Sequence, residues 1–129
     1  MKHLDPRAAA RAAVAAHPAR PATALIHDSE DARLVVFRIA PGQEVAAHTS
    51  PSTVTLTVLE GRGSLSGADG ARDCGPGEMV TYEPNEVHAM RATGGDDFLL
   101  LATITPRPGA RPAVRETPAP ETVRMEARA

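Results

Sequence analysis

The sequence predicts a single all-β domain, an antiparallel sandwich or barrel, with a short helix before it and a Pro-rich tail after it. Short segments rich in Val, Ile, Thr and Leu recur at close intervals between residues 23 and 106. Clusters of Gly, Pro and Asp separate these segments, and no helical periodicity lies between them. A length of 129 residues suits one domain. We therefore expect an N-terminal arm at 1–22, a barrel at 23–106 and a flexible tail at 107–129.

The sequence of the arm predicts a helix that starts at Asp5 and runs through an alanine-rich stretch to Ala16. Asp5 can cap the free amide groups, and Pro6 occupies the first helical position, where a missing N–H costs nothing. His17-Pro18 is expected to end the helix, because proline disfavours a helical residue before it. Since alanine occupies most of every face, we expect this helix to have little to bury.

The clearest strand is Thr53 to Leu59, where Val54, Leu56 and Val58 alternate with threonines. This period of two indicates a strand with one buried face. Closure of many such strands into a barrel would remove exposed edges. Eight further strands are expected at 23–27, 34–39, 44–48, 64–66, 71–73, 79–83, 87–92 and 98–105.

Charge is divided along the chain. Residues 1–22 carry a net charge of +3 and residues 107–129 a net charge of +2, whereas residues 23–106 hold five arginines against twelve acidic residues. An acidic body repels phosphate backbones, so we expect no nucleic-acid partner. The basic ends are expected to lie against the acidic body, either of their own chain or of a neighbouring one.

Cysteine content and hydropathy bear on the compartment. The single cysteine, Cys74, cannot form an internal disulfide and fits a reducing environment. No apolar run approaches the roughly 20 residues that cross a bilayer, and the arm lacks the apolar core of a secretory signal. We expect a soluble cytoplasmic protein without membrane association.

Two motifs in the β region resemble those of the cupin family of jelly-roll barrels. In the first, five residues separate Gly42 from His48, and Gly61 stands where the closing glycine of the motif belongs. In the second, Gly77-Glu78 precedes a strand and a Pro84-Asn85 turn, and His88 follows. By this resemblance Glu78, which replaces the usual Asp, accepts backbone N–H bonds in its turn. The likeness spans roughly residues 33–105, and two motifs together are more specific than either alone.

The chain departs from the family pattern at two of the four customary metal-ligand positions. Ser50 stands in the place of the second histidine, and Val54, or Thr55 with a longer spacer, in that of the glutamate. Only His48 and His88 remain. Two imidazoles are fewer than the three or four protein ligands that a transition metal usually takes.

The resemblance implies an antiparallel jelly roll, a homodimer, and a pocket inside the barrel that holds a small molecule. His48 and His88 would be the ligands of a divalent metal such as Zn, Fe, Ni or Mn. An apolar lining with a few convergent polar groups is typical of a small-molecule pocket. The residues expected to line it, besides the two histidines, are Glu44, Ser50, Val54, Leu56, Val58, Tyr82 and Met90.

Three functions stay open from the sequence. The first is a small-molecule-binding cupin with a reduced two-histidine metal site. The second is a metal-dependent oxygenase or isomerase, in which Glu44, His27, Ser50 or water completes the ligand set. The third is a metal-free sensing or structural cupin. The catalytic residues, if any, are not identified by the sequence, since one barrel supports many chemistries.

Overall fold

A computed structural model describes residues 1–109 of the chain. Most of the predicted flexible tail, residues 110–129, lies outside the described residues. The described chain forms one helix and nine strands: α1 (Pro6–Ala12), β1 (Ala22–Asp28), β2 (Arg33–Ile39), β3 (Glu44–His48), β4 (Thr53–Glu60), β5 (Gly63–Gly67), β6 (Gly70–Cys74), β7 (Met79–Tyr82), β8 (His88–Ala92) and β9 (Phe98–Thr105).

The strands form two antiparallel sheets that face each other across one core. The five-stranded sheet has the order β1-β2-β9-β4-β7, and the four-stranded sheet has the order β3-β8-β5-β6. The nine predicted strands are confirmed, with ends that differ by a residue or two. The all-β class is confirmed with them, since one short helix is the remaining regular element of the described part.

The core lies between the two sheets and is aliphatic apart from two aromatic rings. β4 supplies Val54, Leu56 and Val58, which are buried, while its threonines are half-buried on the other face. This confirms the alternation read from the sequence. The largest buried cluster comprises Ile39, Val54, Leu56, Val58, Leu65, Cys74, Tyr82, Met90, Ala92, Phe98, Leu100, Ala102 and Ile104.

The turn after β4 and the turn between β6 and β7 each depend on one residue, Gly61 and Glu78 respectively. Gly61 has a φ of +80°, and a Cβ atom there would lie 2.2 Å from the carbonyl oxygen of Asp97. Only glycine fits this approach of two backbones. Glu78 accepts a hydrogen bond from the backbone N–H of Gly75 at 2.6 Å, which confirms the role that the resemblance implies for it.

The N-terminal arm differs from the prediction in the position at which its helix ends. The helix ends at Ala12 and does not continue to Ala16. Arg38 explains this end, because its Nη1 donates to the carbonyl oxygens of Ala10, Arg11 and Ala13 at 2.8–2.9 Å. Carbonyl groups of a last helical turn have no partner within the helix, so a guanidinium can satisfy them.

The helix buries little, as expected, since Ala10 is the one buried residue between Pro6 and Ala12. Ala10 is 0% exposed and packs with Val36 and Leu99 on the outer face of the five-stranded sheet. The small side chains of the helix let it lie close to the strands. Arg7 and Arg11 both form ion pairs with Glu60, as the division of charge predicts for a basic arm on an acidic body.

At the other end of the described chain, Arg107 forms an ion pair with Asp28 at 2.9 Å. Asp28 also pairs with Arg33. Hydrogen bonds and ion pairs from the two arginines lower the pKa of the Asp28 carboxyl, although partial burial acts in the opposite direction. None of the described helices is long and apolar enough to span a membrane.

Candidate functional site

The two predicted metal ligands, His48 and His88, lie side by side in the structure. They are register partners on β3 and β8, the paired strands at one edge of the four-stranded sheet. Their ring centroids are 4.3 Å apart, and the ring planes are tilted by 59°. Strand pairing alone therefore brings the two motifs together.

The loops that carry the histidines are also tied to each other. The backbone N–H of Asn85 donates to the carbonyl oxygen of Ser50 at 2.6 Å. Asn85 has a φ of 68°, a left-handed conformation that Asn tolerates better than most residues. The turn before His88 is thus anchored to the loop after His48.

Each imidazole is oriented by a backbone carbonyl group close to it in sequence. Nδ1 of His48 lies 2.9 Å from the carbonyl oxygen of Ala46, and Nδ1 of His88 lies 2.9 Å from that of Glu86. A carbonyl oxygen only accepts a hydrogen bond, so each Nδ1 carries a proton and donates it. Both Nε2 atoms are then left with a free lone pair, as in a metal-binding histidine.

His88 is held in its neutral form. Its side chain is 3% exposed, and burial lowers the pKa of the imidazole below its ordinary value. Its hydrogen bond to Glu86 opposes this shift, and the neighbouring His48 adds to it. A neutral imidazole is the form that can accept a hydrogen bond or bind a metal ion.

Tyr82 also stacks on His88. The two ring centroids are 4.4 Å apart and the planes differ by 16°. Tyr82 is 4% exposed, and within residues 1–109 its buried hydroxyl has no hydrogen-bond partner. Burial, with a smaller contribution from the charge of Glu86, raises the pKa of Tyr82 to about 12, so the phenol stays protonated at neutral pH.

Glu86 holds the chain around Tyr82 in place. One carboxylate oxygen accepts a hydrogen bond from the backbone N–H of Ala68, and the other accepts one from that of Glu83, both at 2.9 Å. These two bonds lower the pKa of the Glu86 carboxyl. The side chain therefore links the β5–β6 turn to the end of β7.

The other predicted pocket residues occupy three kinds of position. Ser50 is 1% exposed, and its hydroxyl oxygen accepts a hydrogen bond from the backbone N–H of Ser52 at 3.1 Å. Glu44 is exposed at the start of β3. The aliphatic members are packed in the core between the sheets; they are Val54, Leu56, Val58 and Met90. That these residues line a ligand pocket stays a prediction.

The donors available for a metal ion are few. Within residues 1–109, no group of three or more His, Cys, Asp or Glu side chains is arranged to hold a metal ion. His27, considered as a third ligand, lies on β1 of the other sheet with its ring 3.4 Å from Nζ of Lys2. The residues fit an ion held by two imidazoles that takes its remaining ligands from outside the protein. They do not fit a closed structural site.

A cleft of about 660 Å³ opens beside this group, between β6 and β7. Tyr82 belongs to its wall, and it is the member of the predicted pocket that the cleft includes. Neither this cleft nor the Tyr82–His88 stack was predicted from the sequence. Both depend on how the two sheets face each other, which strand patterns do not encode.

The sequence and the structure were compared with known protein families and solved structures. The family model of the cupin domain matches residues 35–104. An RmlC-like cupin from Desulfovibrio desulfuricans is 30% identical, with a TM-score of 0.64 over 74% of this chain and 91% of that one. A conserved protein with a double-stranded β-helix domain from Klebsiella pneumoniae is 24% identical, with a TM-score of 0.68 over 75% of this chain and 86% of that one.

A structure from Thermus thermophilus shares the fold at 22% identity, with a TM-score of 0.74 over 84% of this chain and 100% of that one. No functionally curated protein matches the sequence. The match of the cupin model to more than half of the chain, together with the two facing antiparallel sheets and the paired histidines, leads to one conclusion. The chain belongs to the cupin family.

Proposed function

We propose that this cupin binds a small molecule at His48 and His88, with a divalent metal ion held between the two imidazoles. One observation supports this above all others. Both rings donate Nδ1–H to a backbone carbonyl group and lie 4.3 Å apart, so two free Nε2 atoms share one small region. Such outer hydrogen bonds orient histidines for ligation and make them better donors.

The chain's own groups would act by position and charge state. The two carbonyl bonds fix the ring orientations, and the burial of His88 keeps its imidazole neutral. With two protein ligands, most coordination positions are left to a small molecule that carries oxygen or nitrogen donors. An ion such as Zn, Fe, Ni or Mn would supply a Lewis acid at that position.

A metal-free cupin is the second candidate, and the small donor set favours it. With two imidazoles as the available donors among the described residues, the ion would be weakly held. In this case the free Nε2 atoms accept hydrogen bonds directly from hydroxyl or N–H groups of an organic ligand. No observation on residues 1–109 favours the oxygenase or isomerase alternative over binding alone.

Metal uptake distinguishes these candidates. We would measure the metal content of tag-free protein, and the binding of Zn²⁺, Mn²⁺, Ni²⁺ and Fe²⁺ by calorimetry, for the wild type, His48→Ala and His88→Ala. His17→Ala is the matched control, because His17 lies outside the strands with its ring bonded to the N–H of Ala19. Binding that is lost in both site variants and retained in the control supports the shared metal site.

If the wild type takes up none of the four ions, the metal-bound form of the proposal is wrong. The metal-free candidate would then be tested by NMR, from the chemical shifts of the His48 and His88 rings in the presence of small polar ligands.

Homodimerisation, which the family resemblance implies, stays a prediction that light scattering checks. The barrel boundaries at 23 and 106 stay predictions too, which limited proteolysis checks.

A further inference from the structure

The imidazole of His88 is oriented by the carbonyl group of Glu86, to which its Nδ1–H donates at 2.9 Å. His48 makes the same kind of bond to the carbonyl oxygen of Ala46, also at 2.9 Å. The two bonds differ in what fixes the accepting carbonyl group. Ala46 lies on the edge strand β3, where the pairing with β8 is irregular between Val45 and His48. The backbone of Glu86 is instead held by the side chain of the same residue.

The carboxylate of Glu86 forms two hydrogen bonds to backbone groups. Oε1 accepts the N–H of Glu83 at 2.9 Å, and the N–H of Glu86 in turn donates to the carbonyl oxygen of Glu83 at 3.1 Å. These two bonds close the turn between β7 and β8 in both directions. Oε2 accepts the N–H of Ala68 at 2.9 Å. The backbone of Glu86 is therefore fixed within its own turn and against the turn between β5 and β6.

Gly67, the last residue of β5, lies against both residues that contact His88. A Cβ atom on Gly67 would be 2.7 Å from Oε2 of Glu86 and 2.9 Å from Cε1 of Tyr82. Glu86 contacts His88 through its carbonyl oxygen, and Tyr82 stacks on the imidazole with centroids 4.4 Å apart and planes that differ by 16°. The hydrogen bond sets the direction of the imidazole and the stacked ring sets its plane. Glycine at position 67 is what leaves room for both.

A fixed carbonyl acceptor determines which nitrogen of His88 carries the proton. A neutral imidazole has one N–H and one lone pair, and its proton can reside on either nitrogen. A hydrogen bond from Nδ1–H favours that tautomer by about two- to tenfold. If the carbonyl group moved away, the Nε2–H tautomer would gain population. In that tautomer Nε2 has no lone pair, so it can neither bind a metal ion nor accept a hydrogen bond.

We propose that Glu86 is a positioning residue for His88: its carboxylate, bonded to two backbone N–H groups, holds its own carbonyl group at Nδ1 and so keeps the Nε2 lone pair available. In this role Glu86 acts through His88 and not on the bound ion or ligand. The consequence for metal affinity rests on the proposed function. The consequence for the tautomer does not, because it concerns the metal-free protein.

The test measures the tautomers of both histidines by ¹⁵N NMR of the metal-free full chain at about pH 8, where ordinary imidazoles are neutral. In the wild type we expect both rings in the Nδ1–H form. In Glu86→Ala the ratio of the Nδ1–H to the Nε2–H form should fall about three- to tenfold at His88 and stay unchanged at His48. Glu86→Gln, which keeps one acceptor oxygen, should show a smaller change at His88.

Gly67→Ala is an independent variant, because it keeps the Glu86 carboxylate but places a methyl group where Oε2 lies. It should change the tautomer of His88 in the same direction. Glu78→Ala is the matched control, since the Glu78 carboxylate also accepts a backbone N–H, that of Gly75, in the turn between β6 and β7. Its loss should leave His88 unchanged. Thermal unfolding of each variant separates a change at His88 from a general loss of structure.

An unchanged His88 tautomer in both Glu86→Ala and Gly67→Ala would overturn the proposal, and so would an equal change at His48 or in Glu78→Ala. Metal binding, where the wild type shows it, should weaken about tenfold in Glu86→Ala and stay as in the wild type in Glu78→Ala.

The two proposals fail separately. A wild type that takes up no ion contradicts the metal-bound form of the proposed function, while the expected change of tautomer in Glu86→Ala still supports the role of Glu86. Metal uptake together with an unchanged tautomer contradicts the role of Glu86 and leaves the metal site in place.

Discussion

The backbone N–H of Asn85 donates to the carbonyl oxygen of Ser50 across the gap between the two cupin motifs, at 2.6 Å. Ser50 follows His48 by two residues, and Asn85 precedes His88 by three. The bond therefore holds the two histidine-bearing segments together at the end of the β3–β8 pairing. Asn85 makes this bond from a left-handed backbone conformation, with a φ of 68°.

Substitution of Asn85 tests this arrangement. Asn85→Gly should retain stability, because glycine adopts the φ of 68° without strain. Asn85→Val should cost about 1–2 kcal/mol of unfolding free energy, since a β-branched residue is strained in this region. Urea unfolding measures both. Equal stabilities of the valine and glycine variants would show that the turn relaxes at no cost.

The lowered pKa of His88 makes the stability of the metal-free protein depend on pH. The native state binds this proton less readily than the unfolded chain, whose imidazole titrates near 6.5. The contribution of His88 to the free energy of unfolding is therefore fully present above about pH 6.5 and declines as the pH falls below that value. Urea unfolding between pH 7.5 and 5 should show this decline. It should be smaller in His88→Phe, which keeps a ring on Tyr82; an equal decline in the two proteins would contradict the assignment.

Arg38 should hold the N-terminal helix on the barrel. Arg38→Met removes three hydrogen bonds to helix carbonyl groups and keeps much of the apolar stem, so we expect a loss of about 1–3 kcal/mol. Trypsin should then cleave faster at Arg7 and Arg11. Arg33→Met is the matched control, because Arg33 lies at the other end of β2 and pairs with Asp28. Unchanged cleavage in Arg38→Met would show that apolar packing alone retains the arm.

Substitution by alanine should have opposite consequences for stability at Gly61 and Gly95, because the space around the two residues differs. Gly61→Ala places a Cβ atom against the carbonyl oxygen of Asp97 in a left-handed backbone, and we expect it to cost roughly 2–4 kcal/mol. At Gly95 a Cβ atom would meet nothing within 4 Å. Gly95→Ala should leave the free energy of unfolding nearly unchanged. Thermal unfolding of both variants checks this, and similar losses would contradict the close approach at Gly61.

The strands could be predicted because their signal is local. The alternation in β4 and the Gly and Pro turns between strands depend on residues a few positions apart, and the spacing of Gly42, His48, Gly77 and His88 identified the family. The end of the helix could not be predicted. The residue that satisfies its last carbonyl groups, Arg38, lies on β2 and is recognisable only in three dimensions.

The candidate site was predictable only in part, for a related reason. Val54, Leu56 and Val58 alternate in the same way whether they face a ligand or one another, so the pattern could not distinguish a pocket from a packed core. The Tyr82–His88 stack joins β7 of one sheet to β8 of the other. No sequence periodicity reports which residues meet across facing sheets.

The docked arm also constrains assembly. Ala10 covers Val36 and Leu99 on the outer face of the five-stranded sheet, and Glu60 there is engaged by two arginines. A second subunit cannot use that area without first displacing the helix and breaking its bonds to Arg38. In a two-fold symmetric dimer the same surface of both chains would carry this cost. A dimer of this chain that keeps its arm in place therefore leaves Val36 and Leu99 out of its interface.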